Sequence, residues 1–172
     1  MTDKPLREEV ELLLEYPCDM CHTDAMQYFI EQYNQWKDVF AYKPVVESYC
    51  TDEFQFIVKV TTPIYEEEGG EVEGESEYDY LGFIIVGPLE CVEFLWIRED
   101  VRRQGHATKA VQLSEAKYYD FAIDDSQAFW DSLTLKQKVK KNENGLWEEI
   151  DEIKQLRESV YRDLFRGVNL EI

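Results

Sequence analysis

The stretch of this sequence with the most evident chemistry runs Leu95-Trp96-Ile97-Arg98-Glu99-Asp100-Val101-Arg102-Arg103-Gln104-Gly105-His106-Ala107-Thr108. An apolar run gives way to a short polar loop, and the loop to two small residues, Gly105 and Ala107, at the start of a helix-forming segment. Gly105 has no Cβ, so the main chain there can come close to a ligand; Ala107 keeps the first helical turn uncluttered. Successive N–H groups in such a turn, backed by the positive end of a helix, make a nest for a phosphate or pyrophosphate. Arg102 and Arg103 place two positive charges beside it in a chain of formal net charge −19. In a protein this acidic, adjacent arginines at that point speak for an anionic ligand.

Such a nest needs a strand before it and a helix after it. Residues 91–97 read as a strand, as do residues 79–86, and Gly87-Pro88 between them predicts an antiparallel pair. Residues 54–64, rich in β-branched and aromatic side chains, read as a third strand. Beyond Gly105, the positions Ala107, Ala110/Val111, Leu113/Ser114 and Lys117/Tyr118 recur at helical spacing. Residues 119–123 then suggest a strand, and a short helix runs from Ser126 through Leu133. Residues 135–141 stay open between strand and helix. Trp147, Ile150, Ile153, Leu156, Val160 and Leu164 fall three or four apart, which predicts an amphipathic C-terminal helix over about residues 146–165.

On the N-terminal side, residues 6–16 end at Pro17 and fit a strand or a short helix. Met26, Phe29/Ile30, Tyr33 and Trp36 mark a helix, with Thr23 as its N-cap and Asp24 at the positive end of its dipole. The acidic, glycine-bearing segment 66–77 contains no basic residue and reads as a mobile hairpin loop. The expectation is a single domain over residues 1–172 with its core at about 23–135. Its class is α/β of the α+β kind, a mixed, mostly antiparallel sheet flanked by helices.

The order strand, apolar residue, Arg-x-x-Gly-x-Ala, helix resembles the acetyl-CoA-binding signature of the GNAT superfamily of N-acetyltransferases. Arg102, Gly105 and Ala107 fall on the motif positions, Ile97 on the apolar position at the strand end, and Val101 on the position before the arginine. The two preceding strands, the strand at 119–123 and Ala128-Phe129-Trp130 in the short helix match the family layout, so the resemblance covers about residues 54–135. It implies a GNAT-like fold and transfer of an acetyl group from acetyl-CoA to a primary amine, by direct attack within a ternary complex. In that implied site the backbone amides of Arg103, Gln104, Gly105, His106 and Ala107 hold the pyrophosphate, with Arg102 and Thr108 bounding the loop. Leu95, Trp96 and Ile97 pair with the pantetheine arm like an added strand, and a backbone N–H there polarises the thioester carbonyl. Glu93 is the carboxylate implied as base for the amine proton. The sequence departs from the family at Trp130, where a Tyr acid is frequent, at Thr134-Leu135 in place of Gly-Phe, and at Asp124 or Asp125 in place of Asn. Protonation of the leaving thiolate is therefore open among Tyr118, Tyr119 and solvent.

Composition narrows the partners. With 18 Lys+Arg against 37 Asp+Glu, the chain lacks the basic footprint of a nucleic-acid binder. Its field repels phosphates and attracts cations, amines and basic proteins, so the expected acceptor is cationic: a polyamine, a basic peptide or a protein lysine. The longest apolar run, Phe83-Ile84-Ile85-Val86, falls far short of the ~20 residues of a membrane span. The N-terminus shows no basic patch followed by an apolar stretch, which makes a cytoplasmic location the expectation. Hydrophobic residues at 44% and aromatics at 14% exclude wholesale disorder.

Cys18, Cys21, Cys50 and Cys91 are too few for a disulfide scaffold. Cys18-Asp19-Met20-Cys21-His22 matches the haem-attachment pattern, whose chemistry needs an exported chain, and a zinc set of Cys18, Cys21, His22 and Cys50 is irregularly spaced. Free thiols and no metal are expected. A second class of function stays open: an acidic interaction or inhibitor protein with a GNAT-like fold that covers the basic surface of a partner. A mimic of that kind has no need of a phosphate nest at residues 102–107. The C-terminal helix packs on its own core or on a second copy of the chain, which makes a homodimer a candidate assembly.

Overall fold

The computed structural model of the chain describes residues 4–16, 31, 54–120 and 126–166. Strand β2 (Phe54–Glu67) carries consecutive residues, Phe56, Ile57 and Val58, that are each 0% exposed, so both faces of the strand are covered. Strand β1 (Arg7–Glu15) settles the open reading of residues 6–16: it pairs antiparallel with β2, from Arg7 opposite Ile64 to Glu15 opposite Phe56.

The acidic segment is more ordered than a loop. β2 continues to Glu67, turns through Glu68 and Gly69, and returns as β3 (Gly70–Glu73), with Glu67 opposite Gly70. Gly69 and Gly70 sit at φ +121° and +133°, angles that the tight turn requires and that side chains resist. Arg7 Nη2 donates to Glu71 at 2.8 Å, and the Thr62 and Ser76 hydroxyls meet at 2.7 Å. The expected hairpin is there, built as paired strands and not as a loop.

Strands β4 (Glu77–Gly87) and β5 (Cys91–Ile97) flank the Gly87-Pro88 turn as the sequence predicts. Next come a 3-10 turn (Glu99–Val101), helix α1 (His106–Leu113), β6 (Tyr118–Tyr119), helix α2 (Gln127–Asp131) and β7 (Lys136–Gln137). β8 (Val139–Lys141) and β9 (Trp147–Glu149) form a separate antiparallel pair ahead of helix α3 (Asp151–Phe165). The main sheet is seven-stranded, ordered β1-β2-β4-β5-β6-β7 with β3 on β2. β6 runs parallel to both β5 and β7. The class is α+β, a mixed and mostly antiparallel sheet with three helices among the described residues.

Two helix boundaries correct the periodicity reading. α1 stops at Leu113 because Glu115 takes φ +56°, a left-handed angle, and Tyr118 passes into β6. The last helix starts at Asp151, since Trp147 pairs with Lys141 in β9 and Ile150 is the extended N-cap. Residues 135–141 resolve as two short strands. Apart from Glu31, which is helical, the expected helix at 23–36 lies outside the described residues, as do residues 121–123 of the expected strand, Asp124, Asp125, Cys18, Cys21, His22 and Cys50.

By its contacts the chain forms two compact units, and β4 and β5 run through both. The first comprises residues 1–84 and 95–113. Its core holds a run of rings: Phe54 stacks on Phe83 at 5.1 Å, and Phe83 on Trp96 at 5.8 Å. Ala110 and Val111 of α1 are buried in the same unit. The second comprises residues 85–94 and 114–172. There Tyr119 stacks on Trp130 at 5.0 Å, and Cys91, Val92, Phe94 and Ile153 are buried. Among the described residues no helix is long and apolar enough to cross a membrane.

Candidate functional site

β5 delivers the chain into the candidate loop, and Arg98 fixes the exit. Its guanidinium grips Asp100 with two bonds (Nε to Oδ1 2.7 Å, Nη2 to Oδ2 2.9 Å) and reaches back to β4, where Nη1 donates to Asp79 Oδ1 and Tyr80 O, each at 2.9 Å. The bond from Arg98 holds the Asp100 carboxyl below its usual range. Asp100 and then Asp79 hold the Arg98 guanidinium above its own. The sequence reading missed this clamp.

After the 3-10 turn, Arg102 is extended (φ −68°, ψ 160°) and Arg103 takes φ +62°. A left-handed angle on a residue with a Cβ costs roughly 1–2 kcal/mol, so the surrounding loop must impose it. Gly105 follows at φ +84°, where glycine meets no such cost. The bond from Lys109 N–H to Gly105 O, at 3.0 Å, opens the α1 ladder. The N–H groups of His106, Ala107 and Thr108 therefore lie ahead of the ladder, at the positive end of the helix. In a chain with 37 carboxylates, α1 carries none in its first turn, so no acidic side chain of α1 competes for that position. A backbone reversed at Arg103 and Gly105, running into a helix start, can cradle an anion.

The Arg102 side chain is also engaged with the protein itself. Its Nε donates to Ile97 O at 2.7 Å and its Nη1 lies 3.7 Å from Glu99 Oε1, so the side chain ties the loop to the end of β5. Arg103 and Gln104 are exposed at the mouth of the loop. Leu95 is half-buried, and Trp96 and Ile97 are buried. Residues 95–97 and 102–108 all belong to the first unit, whereas Glu93 belongs to the second, two residues ahead of Leu95 on the same strand. Glu93 is half-buried, and its carboxyl lies over Gly87, where a Cβ would stand 2.4 Å from Oε1.

Of the candidate acids, Tyr119 is buried, stacked on Trp130, and its hydroxyl accepts from Gln127 Nε2 at 3.4 Å. Tyr118 is half-buried on β6. Trp130, on the family's tyrosine position, is a core residue of the second unit.

A residue absent from the sequence reading stands beside the site. A Cβ on Gly82 of β4 would lie 2.1 Å from Trp96 O and 3.0 Å from Ile97 Cα, both backbone atoms. The signal was there: a lone glycine inside an apolar strand run marks a bulge or a close backbone approach. Hydrogen bonds along β5 agree. Val92 O accepts from Asp120 N–H at 3.1 Å, on the β6 side, whereas Arg98 N–H donates to Leu81 O at 2.8 Å, on the β4 side. Residues an even number apart on a regular strand present their backbone groups to the same side, so β5 carries an extra residue between these two points.

Among the described residues no group of three or more His, Cys, Asp and Glu side chains is placed to hold a metal ion. Cys91 is 1% exposed, and burial pushes its thiol up to about 12, so at neutral pH it is a protonated packing residue and not a nucleophile. Because the folded thiol holds its proton more tightly than the unfolded one, its contribution is complete below pH 9 and is lost as pH rises from 9.0 towards about 12. The slope from this group is at most about 1.4 kcal/mol per pH unit. Denaturant titrations at stepped alkaline pH should give a shallower decline in Cys91→Ala than in the parent chain; equal slopes would refute the assignment.

Comparison of the chain with known protein families and with curated proteins finds no match.

Proposed function

We propose that the chain is a GNAT-like N-acetyltransferase that binds acetyl-CoA at residues 102–108 and passes the acetyl group to a primary amine of a cationic acceptor. The observation that carries this reading is the loop itself. Two left-handed residues, Arg103 and Gly105, lead into a helix with no acidic residue in its first turn, directly after a buried strand. The mixed sheet, with β5 parallel to β6, is compatible with such a fold.

The residues divide the work as follows. The amides of residues 103–107 hold the pyrophosphate through the nest, and Arg103 adds charge at its mouth. Backbone groups at the end of β5 align the pantetheine arm. The amine attacks as the neutral base: a C–N bond forms at the acetyl carbonyl, the C–S bond breaks, and the thiolate leaves and takes up a proton. Glu93 accepts the proton that the amine loses. A backbone N–H aimed at the oxyanion that develops is worth a few kcal/mol in a site closed to water.

Calorimetric titration with acetyl-CoA tests the nest, using the parent chain and Gly105→Glu. A Cβ at Gly105 meets nothing within 4 Å, so the variant has room to fold, while its carboxylate enters the anion position on a strained backbone. The parent is expected to bind with a Kd on the order of 1–100 μM, and the variant at least about tenfold more weakly. Undiminished binding by the variant places the ligand elsewhere. A folded parent that binds nothing overturns the transferase reading and turns attention to protein partners of the acidic surface.

A further inference from the structure

We propose that Asp120 and Lys138 are positioning residues for the base: they stand in one row with Glu93 across three parallel strands and set how tightly its carboxyl holds a proton. This rests on the function proposed above. β5, β6 and β7 run parallel in matching register, with Cys91, Tyr118 and Lys136 abreast, then Val92, Tyr119 and Gln137. The next bonds carry that register one residue on. Asp120 N–H donates to Val92 O at 3.1 Å, and Lys138 N–H to Tyr119 O at 2.8 Å. Glu93, Asp120 and Lys138 are therefore abreast. Residues abreast in parallel strands share a face, with neighbouring strands about 4.8 Å apart. All three are half-buried, and all lie in the second unit.

A second observation gathers the same side chains. Cys91 shares that face, two residues before Glu93. Burial is the largest influence on its thiol and raises its hold on the proton; Lys138 then lowers it, and Asp120, Glu93 and Glu149 raise it. Four charged side chains thus act on one buried sulfur. Other charges nearby are already paired: Lys136 with Glu152 at 3.1 Å, Glu90 with Lys117 at 2.7 Å, and Glu149 with Arg157. Tyr118 stands in the preceding row, and on the β4 side the Glu93 carboxyl lies over Gly87, which adds no charge. Asp120, beside Glu93, and Lys138, one strand further, act on it with opposite signs. An anion next to a carboxylate strengthens its hold on a proton, and a cation weakens it. A base works best with its proton affinity near the working pH, which a solvated glutamate does not have; Asp120 lifts it, and Lys138 keeps it from staying protonated.

The test follows the Glu93 carboxyl carbon by NMR against pH in the isotope-labelled full chain, its signal assigned by its loss in Glu93→Gln. In Asp120→Asn the midpoint should fall by about 1 pH unit, and in Lys138→Met it should rise by about as much. Lys138→Arg keeps the charge and should stay within about 0.3 unit of the parent. The acidic limb of log kcat/KM should move with the midpoint in each variant, while the Kd for acetyl-CoA stays within about twofold. A structural role alone would lower kcat and leave midpoint and limb in place. Unmoved midpoints, midpoints that move the same way in Asp120→Asn and Lys138→Met, or a limb that does not follow them overturn the proposal. If Asp120→Asn does not fold, the contrast between Lys138→Met and Lys138→Arg decides. Midpoints that move as stated in a parent that acetylates no amine overturn the transferase reading and with it the role of the row, leaving only its charge coupling. Unmoved midpoints in an active parent overturn this inference alone.

Discussion

Phe83→Ala should destabilise the protein by about 3–5 kcal/mol, a loss in the range seen when a large ring is cut from a packed core. Phe83 is 1% exposed and lies between two other rings, stacked on Phe54 at 5.1 Å and on Trp96 at 5.8 Å, with interplanar angles of 22° and 29°. Its neighbours cannot close the gap easily. Leu81 and Ile84 on the same strand are both 0% exposed, and Phe54 is already held edge-on by Phe56 at 5.2 Å. The truncation therefore loses the transfer free energy of the ring, its stacking on two partners, and the contacts that line the cavity left behind. For a chain of this length the fall in unfolding temperature should be on the order of 10 °C. Val72→Ala, at a site 43% exposed on β3, is the control and should stay within about 0.5 kcal/mol. Denaturant unfolding with an unchanged slope would confirm that stability, not compactness, has moved. A loss below about 1 kcal/mol would mean that the ring run is not the core of this unit. Because Trp96 is the last ring of the run, the same variant should also loosen the strand end that feeds the candidate loop.

The elements that position the loop were legible because burial wrote them plainly. Residues 91–97 alternate little and are apolar nearly throughout, the pattern of a strand covered on both faces, and the Gly87-Pro88 break fixed its partner. Gly105 and Ala107 marked the helix start for the same local reason. Where reading failed, a second constraint overrode the visible one. Charge in residues 66–77 masked how much of the expected hairpin is paired strand, with a turn that depends on two glycines. Tyr118 fitted the helical period, yet Glu115 had already left the helical angle, and Trp147 fitted the C-terminal helix while pairing across to Lys141 in β9. The bond from Arg102 Nε back to Ile97 O, five residues earlier, has no signal in the sequence. Gly82 was readable in principle, because an isolated glycine in a buried strand has to be there for something that comes close.

Glu93→Gln should lower kcat/KM for the amine by roughly 10²–10⁴ while leaving the Kd for acetyl-CoA unchanged. Glutamine keeps the size of the side chain and its place on β5, but it cannot accept a proton, so a loss confined to turnover isolates the base. In the parent chain, log kcat/KM should fall below the pKa of the base as the carboxylate is protonated; in the variant that acidic limb should be absent. The structure supplies a second way to move the same group without changing its chemistry. A Cβ on Gly87 would stand 2.4 Å from Glu93 Oε1, and the contact is with the far end of a flexible side chain, so Gly87→Ala should fold normally and push the carboxylate aside. If Glu93 takes the amine's proton, Gly87→Ala should lose turnover in the same direction as Glu93→Gln, and the double variant should lose little more than Glu93→Gln alone. Independent, multiplying losses would say that Gly87 acts through the hairpin and not through the carboxyl. Full activity in Glu93→Gln would send the proton by another route, through water. The combination of unchanged acetyl-CoA binding, a vanished acidic limb and non-additivity with Gly87→Ala is what separates a base from a carboxylate that only packs.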